Sequence, residues 1–457
     1  MSRRIEEYVR SLELDAYVVG GAVRDALLGI DAKDSDFLVP GVDIAGLRAL
    51  LVPYGRTAAL VVAGRPVGVR FFPRDRAIRT LAPAGIELAP PRREVSTGPG
   101  RHDFDIVVDP AATIEEDLAR RDFTINAMAR RLADGSLVDP FGGGEDLSHR
   151  VLRTVSANGF AEDPLRLVRG LRFVSQLDLD PDEHTLAQMR DEAPGVRLVS
   201  GERIGGGLAS DSLGELSKLL LGARPAKALR LARDTGVLAE LLPEFAPAIG
   251  FRAAGGDAPT VDEHAFAVVQ AAAEGGMSLP VRLAALLHDL GKPSVAGRGG
   301  DGHEEAGAAL AAAALSRLRY PTELRRHVLA IVRFHTVPWD GVALDARRLL
   351  ARHGAALALD LLDHREADLR GKRPGVEPPA ETLERLDRFR ALVREQQRAP
   401  HRLRDLAVTG DDLLALGFRS GPAVGDALRT LLGEVVKDPS LNTREALLVR
   451  AEELLRT

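Results

Sequence analysis

Three groups of residues have types and spacings that could do chemistry. The first is Gly20-Gly21, followed by Asp34 and Asp36. Glycines lack a Cβ, so an anion such as phosphate can approach their N–H groups closely. Val23 to Leu28 can form a short helix after them, with its positive N-terminus facing the same anion and Gly29 ending it. Asp34 and Asp36 lead into the apolar run Phe37-Leu38-Val39. Residues i and i+2 of a strand point to one face, so both carboxylates would lie together. Two carboxylates beside a phosphate cradle suit one or two Mg2+ ions, which can activate a hydroxyl and stabilise in-line phosphoryl displacement. A glycine turn beside a solvated acidic loop is the plainer alternative; the order and spacing favour the site.

The second group could recognise a nucleotide. In Arg120-Arg121-Asp122-Phe123-Thr124-Ile125-Asn126-Ala127, the arginines can meet phosphates. On a helix, Asp122 and Asn126 stand at i and i+4 and could reach one ligand, such as a ribose hydroxyl. Further on, Leu167, Val168, Leu171 and Val174 mark the apolar face of another helix, with Asp163, Arg166, Arg169 and Arg172 along its other side. Asp163 and Arg166 at i and i+3 should meet. A carboxylate accepts from the exocyclic amine of cytosine or adenine, and an arginine donates to ring acceptors, so such a pair can read a base edge without a template. Guanine and uracil would leave buried groups unpaired. Taken alone, the same pair could be a surface ion pair worth under about 1 kcal/mol.

The third group is imidazole mixed with carboxylate: His264, His288-Asp289, His303, His335 and Asp368. These donors favour Mn, Ni, Mg or Zn chemistry at phosphate esters. Asp363 is a nearby competitor for the role of Asp368.

These groups must be positioned by different elements. Strands are expected over 16–19, 36–39, 67–72, 85–89 and 103–108, with a helix over 43–52. Glu87 could supply a third carboxylate from a neighbouring strand, although an exposed strand residue is the preferred reading. Residues 73–102, rich in Pro, Gly and Arg, read as a mobile loop that could close over a nucleotide. Pro225 to Leu242 reads as one amphipathic helix. The 457 residues suffice for several domains, and 4% aromatics with abundant Ala and Leu point to mostly helical packing. No cysteine is present, which excludes thiolate catalysis and Cys-ligated zinc. The start of the chain lacks the apolar core of a signal peptide, and no apolar run is long enough to span a bilayer. A cytoplasmic protein is expected. A net charge of −5 does not by itself announce a nucleic-acid binder.

Gly-Gly followed by Asp-x-Asp resembles the active-site signature of the class II nucleotidyltransferases, the family of tRNA CCA-adding enzymes and bacterial poly(A) polymerases. Arg120 to Ala127 looks like the same family's nucleotide-contacting motif, and Asp139-Pro140-Phe141-Gly142-Gly143-Gly144 like its hinge between head and neck. Glu162-Asp163-x-x-Arg166 resembles its protein template for choosing CTP and then ATP. The stretch from Glu202 to Lys218 resembles a supporting neck helix, although three glycines, Gly205 to Gly207, depart from helix propensity and suggest local flexibility. His288-Asp289-Leu290-Gly291-Lys292 resembles the HD phosphohydrolases, and some CCA-adding enzymes carry such a domain.

The resemblance implies an α+β fold. A nucleotidyltransferase head with a mixed sheet and helices (1–147) would precede an all-α neck (148–255), an HD body (256–372) and a helical tail that contacts tRNA (373–457). It implies template-independent CCA addition to tRNA from CTP and ATP. Asp34 and Asp36 would bind Mg2+, Gly20, Gly21 and Arg24 would hold the triphosphate, and Arg121, Asp122 and Asn126 would position the nucleotide. Asp163 and Arg166 would select the base, with Arg169 and Arg172 completing the nucleotide-binding set. His264, His288, Asp289 and Asp368 would hold a second divalent metal for phosphodiester or phosphate hydrolysis at tRNA ends, with His303 and His335 serving another metal or a substrate phosphate. The glycine turn Gly421 to Gly425 could hold an RNA backbone phosphate. A poly(A) polymerase and a CC-only or A-only enzyme share these motifs. An HD phosphohydrolase with an inactive head is the alternative of another class. The oligomeric state, monomer or homodimer, is left open.

Overall fold

The computed structural model describes residues 2–31, 35–62, 64–96, 104–206, 213–253, 258–298, 301–373 and 375–456. Asp34, Gly207 and all of residues 97–102 therefore lie outside the described residues. The chain forms two units, 1–243 and 244–457.

The first unit is built on a mixed sheet. Its strands are β1 (Tyr17–Val19), β2 (Asp36–Leu38), β3 (Gly55–Val62), β4 (Arg65–Pro73) and β5 (Ile86–Ala89), then a separate hairpin of β6 (Arg92–Ser96) and β7 (Phe104–Val108), then β8 (Ala129–Arg131) and β9 (Leu137–Val138). The order across the main sheet is β3-β4-β5-β2-β1-β8-β9. All neighbours run antiparallel except β2 and β5. Alternation sorts the two faces. Val18, Phe37, Leu88, Val69 and Phe71 pack under α1 (Ser2–Ser11), and Leu47 and Leu51 of α3 (Ile44–Leu51) join the same core. The short α2 (Gly21–Leu27) follows β1 directly. On the other face Val19, Leu38 and Ala129 meet Ile114 and Leu118.

The 73–102 segment is not a loop throughout. It contains α4 (Arg76–Leu81), capped by Asp75, as well as β5 and β6. Strand β3 was not anticipated, because Thr57-Ala58-Ala59 is too small and mixed to show a clean alternation. After α5 (Ile114–Ala119), the Arg120–Ala127 motif is not an α-helix. Phe123 is extended and bridges to Thr154, and Thr124–Asn126 forms one 3-10 turn.

After the sheet strands come α6 (Gly143–Ser148), α7 (Gly159–Glu162), α8 (Leu165–Leu177) and α9 (Glu183–Asp191). Asp139 ties the joint at α6, accepting from the N–H groups of Gly143 at 2.7 Å and Gly144 at 2.8 Å. Next come a π-turn over Glu202–Gly206 and α10 (Glu215–Leu220). The expected helix from Pro225 to Leu242 is two, α11 (Pro225–Asp234) and α12 (Val237–Leu241), because Gly236 takes a left-handed conformation between them.

The second unit is helical: α13 (Val261–Glu274), α14 (Leu279–Leu287), α15 (His303–Arg317), α16 (Thr322–Phe334), α17 (Ala343–Gly371), α18 (Ala380–Gln396), α19 (Gly410–Ala415), α20 (Pro422–Lys437) and α21 (Arg444–Arg456). Among the described residues no helix is long and apolar enough to cross a membrane.

Candidate functional site

The sheet register places the head site. Val19, Asp36 and Glu87 stand abreast on β1, β2 and β5. Gly20 follows Val19 with φ +70°, and a Cβ there would sit 2.5 Å from Arg121 Nη1. A Cβ on Gly21 would lie 3.5 Å from Arg24 Nη2, so guanidinium groups bracket the glycine turn on two sides. Beside it, a cavity of about 280 Å3 is lined by Asp36, Glu87, Arg92, Arg120 and Arg121 among others. An exposed carboxylate beside a turn with two cations is a donor set that fits a hydrated divalent ion and a polyphosphate. Glu87 is partly exposed and ion-paired with Arg70.

One residue without an assigned role in the sequence reading organises these arginines. Asp117 is fully buried on α5. Its Oδ1 accepts from Arg120 Nη2 at 2.7 Å, and its Oδ2 from Arg121 Nη2 at 3.3 Å. Opposite charges at i+3 and i+4 were the available signal. Burial depresses the Arg121 pKa, Asp117 acts against it, and neighbouring Arg120 adds to the depression.

The nucleotide-positioning residues form a continuous chain. Arg24 Nη1 donates to Asn126 Oδ1 at 2.6 Å, and Asn126 Nδ2 donates to Asp122 Oδ1 at 3.0 Å. Asp122 and Asn126 therefore meet, although across a 3-10 turn rather than along an α-helix. Arg169 Nε donates to Asp122 Oδ2 at 2.8 Å. Arg172 Nε lies 3.1 Å from Glu215 Oε2, and Arg169 Nη1 lies 3.6 Å from Glu215 Oε1. The chain thus runs from α2 through the 3-10 turn to α8 and α10. Burial alone would raise the Asp122 pKa, but Arg169 and the bonds from Asn126 and the Phe123 N–H hold it well below the usual carboxylate range. Burial drives Arg172 down to about 10 against the pull of Glu215. Phe123 anchors the crossing: its ring meets Phe173 of α8 edge-on, with centroids 5.8 Å apart.

The side chains of Asp163 and Arg166 do not pair with each other, although the Arg166 N–H donates to the Asp163 carbonyl at 2.9 Å. Asp163 precedes Pro164, which forces it into an extended conformation outside the helix. The i,i+3 helix rule therefore does not apply. Asp163 instead meets Arg203 at 3.1 Å, and Arg166 donates to the Arg120 carbonyl at 2.8 Å. Arg166 is buried, and its Nη1 has no hydrogen-bond partner.

In the second unit, His264 (α13), His288-Asp289 (after α14) and Asp368 (α17) converge. His264 Nε2 lies 3.2 Å from Asp368 Oδ1, 3.6 Å from Asp289 Oδ2 and 3.3 Å from His288 Nε2. Asp363 lies 3.4 Å from Arg390 instead, so Asp368 is the carboxylate of this pair that stands beside His264. His303 and His335 approach the other oxygen of Asp289, at 3.9 and 4.0 Å. Two donor sets, His264-His288-Asp289 and Asp289-His303-His335, each have ligand atoms within 4.8 Å of one another and share Asp289. Nitrogen and carboxylate donors at this spacing fit one or two divalent ions. Burial opposes ionisation of Asp289 and Asp368, yet the surrounding imidazoles, with Lys292 beside Asp289, keep both well below the usual range. His335 is lowered to about 4 by burial and by His288. His364, which the sequence reading did not single out, is fully buried edge-on to His288, with centroids 5.0 Å apart and neither ring nitrogen hydrogen-bonded.

A mixed-sheet head whose strand ends carry a glycine turn and an acid, and a helical unit with a His-Asp cluster, define a protein with two candidate divalent-metal centres. Known families match along most of its length: the Poly A polymerase head domain over residues 16–153, the HD domain over 261–389 and a tRNA nucleotidyltransferase domain 2 over 382–451. The chain is 39% identical to the Multifunctional CCA protein of Azoarcus sp. (strain BH72), covering 73% of this chain and 76% of that one. It is 37% identical to the Multifunctional CCA protein of Chromobacterium violaceum, covering 79% and 85%. The CTP complex of the Bacillus stearothermophilus CCA-adding enzyme superposes with a TM-score of 0.68 at 25% identity, over 99% of this chain and 96% of that one. The chain belongs to the class II tRNA nucleotidyltransferase family, the CCA-adding enzymes and poly(A) polymerases, and carries an HD domain. Both domain types imply dependence on divalent metal.

Proposed function

We propose that the chain adds CCA to the 3′ end of tRNA from CTP and ATP, without a template, in the cytoplasm. The single observation that carries the residue assignment is the unbroken chain from the glycine turn through Asn126, Asp122 and Arg169 to Glu215. It joins the place for a triphosphate to the helix whose edge would read a base. Gly20, Gly21, Arg24 and Arg121 hold the triphosphate, and Asp122 and Asn126 orient the ribose. Asp163 and Arg166 select the base, each held by another partner (Arg203 and the Arg120 carbonyl) rather than by each other, while Arg169 and Arg172 brace the helix and the nucleotide. Asp34 and Asp36 would hold Mg2+, which when bound lowers the cost of ionising the RNA 3′-hydroxyl and of charge build-up on the α-phosphate. The hydroxyl attacks the α-phosphate of CTP or ATP and pyrophosphate leaves. The match to a tRNA nucleotidyltransferase domain at 382–451 supports a tail, from about 373, that contacts RNA backbone; the expected Gly421–Gly425 turn is only Gly421 ahead of α20, with Gly425 inside the helix, so the phosphate would meet the N-terminus of α20.

His264, His288, Asp289 and Asp368 would hold a second divalent metal (Ni, Mn, Mg or Zn), with His303 and His335 beside it, for hydrolysis of phosphate esters at RNA ends. The sharing of Asp289 between two donor sets favours this additional activity. The test is end-sequencing of three RNAs after incubation with Mg2+, CTP and ATP: tRNA ending at the discriminator base, tRNA ending in CC, and an unstructured RNA. CCA on the first and A on the second are expected. Long A tails on the third would make the chain a poly(A) polymerase instead. Asp34→Ala should reduce addition at least about a thousandfold and leave hydrolysis intact, whereas His288→Ala should do the reverse. Addition surviving in Asp34→Ala would refute the metal assignment.

A further inference from the structure

The His-Asp cluster opens into a cavity of about 330 Å3 whose lining carries three cations, Lys292, Arg365 and Lys372, against two carboxylates, Asp289 and Asp368. The cations are not scattered. Arg365 and Asp368 of α17, and Lys372, which caps that helix in a helical conformation, fall at i, i+3 and i+7, so they share one helical face. The two oxygens of Asp368 are divided between two tasks. Oδ1 faces His264 Nε2 at 3.2 Å, whereas Oδ2 accepts from Arg365 Nη1 at 3.0 Å and lies 3.9 Å from Lys372 Nζ. A metal on the imidazole side of Asp368 would therefore leave both cations in place beside it. Arg365 is held further from behind: its guanidinium lies 5.5 Å from the centroid of the Trp339 ring, which also carries Arg385 at 4.8 Å. Its Nε is buried with no hydrogen-bond partner.

Charge balance on Asp368 would need one cation, not two with a third on Asp289. We propose that Arg365 and Lys372, with Lys292 at the other side, form an anion rim on the His-Asp site that takes the dianionic phosphate of a phosphomonoester, with Trp339 as the positioning residue for Arg365. A planar fork and two point charges match three phosphate oxygens. This inference rests on reading the cluster as a metal-dependent phosphohydrolase centre, and it adds the side chains that would grip the substrate.

Trp339 is the only tryptophan of the chain, so its emission reports on this rim alone. The full-length protein in Mg2+ is titrated with inorganic phosphate and, separately, with a 3′-phosphorylated dinucleotide. Binding is followed by calorimetry and location by Trp339 emission. Both probes should bind saturably, the dinucleotide more tightly if the ligand is an RNA end. Equal affinity would assign the rim to free phosphate. Arg365→Gln should raise the dissociation constant at least tenfold, Lys372→Gln severalfold, and Arg365→Lys less than Arg365→Gln, with melting temperatures confirming folded protein. No saturable binding to the wild type, or a dissociation constant within twofold of wild type in Arg365→Gln, overturns the rim. Hydrolysis of the dinucleotide phosphate in Mn2+ or Ni2+ separates the two ideas. Hydrolysis with unchanged KM in Arg365→Gln sinks the rim and spares the phosphohydrolase reading. Arg365-dependent binding without hydrolysis by the wild type does the opposite.

Discussion

Gly20 concentrates two demands in one position, a φ of +70° and an Arg121 Nη1 only 2.5 Å from where a Cβ would go. Gly20→Ala is expected to cost about 1–2 kcal/mol from the left-handed backbone, and more from the displaced guanidinium. A lower melting temperature of the 1–243 unit, with a larger loss of nucleotide addition than that destabilisation explains, is the expected readout. Asp122 makes a prediction about acid. Its folded pKa lies below the ordinary 3.8, so its contribution to stability is complete above that value and is lost as pH falls below it. Asp122→Asn should flatten the acid limb of the stability profile of this unit below about pH 4, seen as melting temperature against pH. A limb as steep as that of the wild type would show that Asp122 is not the group titrating. At this scale the types of the candidate residues were legible, because Gly-Gly, Asp-x-Asp and His-Asp are local patterns. Their partners were not: Asp163 with Arg203 and Asp122 with Arg169 join positions 40 and 47 residues apart. Only the fold brings these together.

Helix α8 earns its place through contacts on two sides. Asp122 holds Arg169 from the 3-10 turn, while Glu215 of α10 faces both Arg169 and Arg172. Glu215 is itself buried, so its removal takes the carboxylate from Arg172 and leaves Arg169 with Asp122 alone. Glu215→Gln should loosen base choice: the preference for CTP over UTP at the first added position should fall about tenfold, a change of about 1.4 kcal/mol, with folding retained. Competition between the four nucleotides checks this, and unchanged selectivity would confine Glu215 to a packing role. Element types were readable where apolar spacing is strong, as in α3, β4, β5 and α8. They were misread where spacing alone could not decide. Arg120–Asn126 satisfies helical spacing, yet the bridge of Phe123 to Thr154 takes its backbone into an extended course. The single helix expected from Pro225 was cut by Gly236, whose helix-breaking geometry outweighs the continuous amphipathic pattern.

At the scale of the molecule, two units with separate cores should unfold as separate transitions. A ligand that binds only the folded form stabilises its own unit by about 2.7 kcal/mol at a hundredfold excess over its dissociation constant. Mn2+ should therefore raise the calorimetric transition of the 244–457 unit, and His288→Ala should abolish that rise. A rise that persists in the variant would place the ion elsewhere. The two candidate centres were separable in the chain because their residues fall in stretches that do not overlap, 20–172 for the head and 264–368 for the His-Asp cluster.

The packing of Phe123 against Phe173 ties the segment proposed to touch the sugar to the helix proposed to read the base. The short stretch between Asp122 and Asn126 thereby acts as a gauge block of fixed length, with one end set by the ribose and the other by the reading edge. A change of preference among bases can then evolve by exchanging side chains on α8, whereas a gained or lost residue within the block would throw the two ends out of register at once. The chain can vary its alphabet in this region far more readily than its spacing.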